Sequence, residues 1–156
     1  MNTLRGLVTA AVFAVTAASL GSAATASATP PSTGVEARIL SQATVNGHDY
    51  ITKEITIAPG GSTGWHWHPG RIFGVIRSGT LTHDFADCSV DGIYSAGAPI
   101  TEGSGPDHVH VGRNLGSEPV VMWVLYIDDA GAPLAVDAPN PPGVRLNRSL
   151  RGHLYR

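Results

Sequence analysis

Between Gly60 and Leu81 the chain reads GGSTGWHWHPGRIFGVIRSGTL, and glycine or proline interrupts it too often for a helix of ordinary length. Short strands fit instead. On a strand, residues two apart point to the same side and lie about 6.6 Å apart along the backbone, so His66 and His68 share a face and can reach one ion. The device recurs at His108-Val109-His110, each histidine standing 42 residues after its counterpart. Trp65 and Trp67 take the opposite face. There their bulk packs on whatever covers the sheet, or on an oligomer partner.

A chain of 156 residues suits one domain with its own core. With 19 glycines, 11 prolines and only 14% charged residues, its composition favours an all-β domain of eight to ten short strands. Val35 to Val45 and Tyr50 to Ile57 read as strands joined by a turn at Asn46-Gly47-His48-Asp49, with Ile51, Lys53, Ile55 and Ile57 on one face. Arg71 to Arg77 and Thr80 to Phe85 read as a hairpin around Ser78-Gly79. Shorter extended pieces follow around Gly92 to Pro99, Ile100 to Glu102 and His108 to Gly112. Val120 to Ile127, VVMWVLYI, has no charge and is too short for a bilayer span, so it reads as a fully buried core strand. His48, beside a turn, is expected in solvent. His83 is expected exposed or behind the ligands rather than as a direct ligand, and Glu102, the remaining candidate acid near His108 and His110, as an exposed turn carboxylate.

The two ends differ from the middle. Arg5, the apolar run Leu7 to Leu20 and the small residues up to Ala28 have the form of a Sec-type signal peptide, residues 1–28, cleaved after Ala28 or, as second choice, Ala26. The apolar run is short of a membrane span, so the expectation is a secreted or extracytoplasmic protein without stable membrane insertion. A flexible leader, 29–34, then precedes the β domain, 35–129, and a Pro-rich, arginine-containing tail, 130–156, that carries no periodic strand. Cys88 is the only cysteine and cannot form an intrachain disulfide. Val35 to Asp137 holds five Lys or Arg against twelve Asp or Glu, whereas the residues beyond hold four arginines and no acid. The tail is therefore expected to pack on its own acidic body. Its arginines lack interleaved aromatics, so no nucleic-acid partner is expected.

With these residues the chain resembles the cupin superfamily, whose motif pairs a glycine, five residues and His-x-His with a later glycine, and then a second motif ending His-x-x-x-Asn. Gly60, His66, His68 and Gly79 match the first; His110 and Asn114 match the second, with Asp107 standing where its glycine would be. The Gly-Trp-His-x-His-Pro-Gly stretch is similar to that of small exported single-domain cupins. The resemblance implies a double-stranded β-helix, or jelly-roll barrel, with a metal in its mouth. It also exposes a departure. Where the family places a glutamate ligand, three or four residues past the second histidine, this chain has Ile72 and Phe73. Thiol and β-diketone dioxygenase types in the superfamily likewise use three histidines without that acid.

Neutral imidazoles suit a first-row divalent ion, so the expected cofactor is Fe, Mn, Zn, Ni or Cu. The resemblance implies His66, His68 and His110 as ligands. Strand alternation puts His108 on the face of His110, either as a fourth ligand or as a donor to bound water or substrate. Three functions remain open at this point: a small-molecule oxygenase, a module that binds metal or a small ligand without turnover, and a metal-free barrel. The expected partner is a small molecule, with a homodimer as a further expectation. No Gly-x-Ser-x-Gly or phosphate-loop stretch is present, which argues against acyl and nucleotide chemistry.

Overall fold

The structure, a computed structural model, describes residues 32–141; the segment expected to be a signal peptide and the arginine-bearing end of the tail lie outside them. The described residues form ten strands and no helix: β1 (Thr33–Val45), β2 (His48–Ser62), β3 (His66–Trp67), β4 (Arg71–Ser78), β5 (Thr80–Phe85), β6 (Val90–Ser95), β7 (Pro99–Glu102), β8 (His110–Arg113), β9 (Val120–Asp129) and β10 (Val136–Asp137). One side of the barrel runs β1-β2-β9-β4-β7 and the other β10-β3-β8-β5-β6, all antiparallel. The sides join where β2 bends past Gly60 and pairs Ser62 with Arg113. Gly60 turns that corner at a φ of 75°, a backbone state that costs a glycine nothing.

Asn46 and Gly47, both at positive φ, close the β1–β2 hairpin as the sequence anticipates. The hairpin expected between β4 and β5 does not form. β4 pairs with β9 and β7, and β5 with β6 and β8, so the chain crosses from one side of the barrel to the other at Ser78-Gly79. Of the two residues only Gly79 has a positive φ, which makes a corner rather than a two-residue reversal. A Cβ on Gly79 would stand 2.5 Å from the Pro119 carbonyl oxygen, so this corner admits no side chain.

The core is the inward row of each strand: Ile51, Ile55 and Ile57 on β2, Ile72 and Ile76 on β4, Leu81, Ile100, and Val120, Met122, Val124 and Tyr126 on β9. β9 is not buried on both faces as its composition suggests. Alternate residues point outward, and Trp123 is 40% exposed, with Arg77 stacked on its ring and its Nε1–H donated to Glu54. A second cluster, Trp65 with Val111 and Ala138, forms on the far face of β3 and β8. The tail supplies Ala138 and, against expectation, a strand: β10 pairs Val136 with Trp67 and Asp137 with His66.

Asn114 holds the end of β8 to both neighbouring segments. Fully buried, it donates through Nδ2 to the carbonyls of Ile57 and Glu118 and accepts from the Gly116 amide. The resemblance makes Asn114 a motif residue. Its contacts make it a clamp of the fold.

Candidate metal centre

Register brings the histidines together. His66 on β3 lies directly opposite His110 on β8, and His68 follows two residues on, just past the end of the strand. Their ring centroids are 4.5 to 5.1 Å apart, and one ligand nitrogen from each lies within 4.8 Å of the others. His68 and His110 are buried.

Each ring is held by its other nitrogen. The Nδ1–H of His66 donates to the Gly64 carbonyl at 2.8 Å, that of His68 to the Leu134 carbonyl at 2.6 Å, and that of His110 to the His108 carbonyl at 2.7 Å. A carbonyl only accepts, so these contacts put a proton on each Nδ1 and turn each Nε2 toward a shared point. The Nε2 atoms of His66 and His68 face each other at 3.2 Å, and Nε2 of His110 is buried without a hydrogen-bond partner. Burial, then the neighbouring His110, push His66 down to about 4, so its own Nε2 stays unprotonated at neutral pH. Three imidazole nitrogens anchored from behind and converging on one point are what a divalent cation takes as ligands.

Glu102 faces the same point from the opposite side of the barrel. It is not the exposed carboxylate expected from its turn-rich surroundings: its side chain is 13% exposed, with Oε2 2.9 Å from His68 Nε2 and 3.4 Å from His110 Nε2. Burial alone would raise its pKa, yet contact with His110, His68 and His83 holds it well below the usual range. β7 pairs Glu102 directly with Ile72 on β4, the position where the resemblance expects a ligand and finds none. A carboxylate thus reaches the site from the adjacent strand.

His83 is also inside. It is buried, its Nδ1–H donates to Asp91 Oδ2 at 3.0 Å, and its Nε2 stands 3.4 Å from Glu102 Oε1. Leu81, two residues earlier on the same face and in the core, is the sequence signal that places His83 indoors. Glu102 had no such signal, because its position depends on the pairing of β7 with β4. The structure sets His108 apart from these groups. It is exposed, its ring lies over Gly103, and it lines an outer cleft with Arg71, Phe73, Ser104 and the far side of Glu102's strand, Glu102 included. His48 lies at the surface near Asp129, and Cys88 is exposed in the turn after β5.

The centre opens into a cavity of about 420 Å³ inside the barrel, lined by His66, His68, Glu102 and an apolar wall that includes Ile55, Ile72 and Met122. Tyr126 lies at its side with its ring 5.7 Å from that of His68, and burial, then the charges of Glu102 and Asp128, push its hydroxyl upward, keeping it neutral. Among the described residues lining the cavity, Lys53 is the basic one.

The same architecture recurs in known proteins. Residues 53–127 match the model of the cupin domain. No curated protein is significantly similar in sequence. Among solved structures, the polyketide cyclase RemF from Streptomyces resistomycificus superposes with a TM-score of 0.55 at 16% identity, covering 73% of this chain and 79% of that one. An oxalate oxidase in complex with glycolate gives 0.55 at 20% identity over 76% and 66%. A cupin domain from Bordetella pertussis gives 0.50 at 24% over 62% and 95%. Barrel, motif residues and family match agree: residues 53–127 of this chain are a cupin domain.

Proposed function

We propose that this protein holds one divalent transition metal on His66, His68 and His110 and presents it to a small anionic molecule in the barrel cavity. The observation that carries this reading is the convergence of three Nε2 atoms whose rings are already fixed at Nδ1 by carbonyls. A bound divalent ion supplies Lewis-acid polarisation of a ligand oxygen. The cavity supports the choice of ligand. Its apolar wall suits a small carbon skeleton, and Lys53, directed inward between Ile51 and Ile55, suits a carboxylate. Glycolate bound to an oxalate oxidase of similar fold is in keeping with a small acid. In its catalytic form the reading is a small-molecule oxygenase, which oxygen uptake by iron-loaded protein with added small carboxylates separates from a binding module.

Metal content is the test. After reconstitution with Fe, Mn, Zn, Ni or Cu in turn, elemental analysis should find close to one ion per chain, and His66→Ala or His110→Ala should strip most of it. Wild-type protein that stays metal-free with every ion would leave the barrel a structural one.

The remaining expectations are carried as proposals. The chain is exported, and a homodimer forms along β1, which among the described strands pairs with β2 and leaves Ile39, Leu40 and Val45 exposed. Light scattering on the purified protein tests the second, with a monomer at micromolar concentration as the contrary result.

A further inference from the structure

His83 belongs to no motif that the sequence singles out, yet the fold treats it as a ligand. β5 pairs Phe85 with His110, so His83 is the diagonal neighbour of His110 on the inner face of the barrel, their rings 4.8 Å apart. His83 is 2% exposed. Its Nδ1 is fixed by Asp91, whose Oδ2 also accepts from the Tyr94 hydroxyl at 2.8 Å. A carboxylate behind a histidine fixes the tautomer and makes the far nitrogen a better donor to a metal. That far nitrogen, Nε2, is buried without a hydrogen-bond partner. It faces Glu102 Oε1 at 3.4 Å, longer than a good hydrogen bond, so an imidazole anchored from behind and a carboxylate converge on one point as metal ligands do.

Two sets of groups share His110: His66, His68 and His110 on one flank, and His83, Glu102 and His110 on the other. Glu102 faces both, with Oε2 toward His68 and His110 and Oε1 toward His83. We propose that His83 is a metal ligand of this centre, held ready by Asp91, so that β5 supplies the fourth histidine that the sequence would place at His108. The inference rests on the metal reading above. Its consequence is a ligand set of four imidazoles and one carboxylate, which leaves an octahedral ion one position for a small ligand.

The test is a count. X-ray absorption of the Zn²⁺-loaded wild-type protein should find four imidazoles rather than three, a readout that needs no variant. Zn²⁺ affinity, measured by competition with a chromophoric chelator, should fall by at least about tenfold in His83→Gln and by a smaller factor in Asp91→Asn, whose amide weakens the anchor. His108→Gln should leave count and affinity at wild-type values. A wild-type count of three, or a folded His83→Gln that keeps wild-type affinity while His110→Ala loses it, would overturn the assignment and leave the three-histidine reading intact. Failure of the wild-type protein to bind Zn²⁺ or any other ion tried would overturn that earlier reading instead.

Discussion

His66 keeps a lone pair free for metal because it resists protonation, and the same resistance makes it a liability in acid. Its pKa falls from 6.5 to about 4 on folding, so between those values the unfolded chain binds more protons than the folded one. Stability of the metal-free protein should therefore decline as pH falls through that window. Glu102, held low, adds to the loss once pH drops below its ordinary range of about 4.5. His83, raised by Glu102 and Asp91 against its burial, contributes stability that is complete below 6.5 and fades as pH rises, outside the window in question. Thermal denaturation of metal-free wild type and His66→Gln from pH 7 to pH 4 should show a steeper decline for the wild type; parallel curves would contradict the argument. Asn114 is the opposite kind of residue, buried and fully used. Replacing it with Ala orphans the Ile57 and Glu118 carbonyls and the Gly116 amide, which should cost about 2–5 kcal/mol in urea unfolding.

Strands were the most readable part of the chain, because apolar alternation on β2 and the turn residues at Asn46-Gly47 depend on neighbours in sequence. Pairing was less readable. Ser78-Gly79 looks like a hairpin turn in the letters, and only the partners of β4 and β5 reveal a corner between the two sides of the barrel. The same blindness made the site's acid read as an exposed turn carboxylate. Glu102 reaches the centre because β7 lies beside β4 with Glu102 opposite Ile72, a contact between residues 30 positions apart that no local pattern encodes. His66, His68 and His110 were legible for the reverse reason: two strands, each carrying its histidines at alternating positions, need only face one another. The corner gives an element-scale prediction. Gly79→Ala must adopt a φ of 73° and crowd the Pro119 carbonyl, so it should lower stability by about 1–3 kcal/mol, measured by denaturant midpoint. A change within about 0.5 kcal/mol would mean that the corner is not strained.

For the whole molecule, the barrel joins three things: a floor of converging imidazoles, an apolar chamber, and a lysine in its wall. Lys53→Met should weaken capture of small carboxylates by roughly tenfold while leaving metal content unchanged, read by calorimetric titration of glycolate into metal-loaded protein. Equal affinity in the variant would remove Lys53 from the ligand's path. The export proposal is testable at the same scale, since mass spectrometry of secreted material should find a mature chain beginning near Thr29, and a retained full-length chain would contradict it. The claim on which the rest depends is that the Nε2 atoms of His66, His68 and His110 enclose a metal ion. Anomalous diffraction at the zinc edge from a Zn²⁺-soaked crystal addresses it directly: the account predicts a strong peak about 2.0–2.1 Å from all three nitrogens, and a map with no peak among them would contradict it.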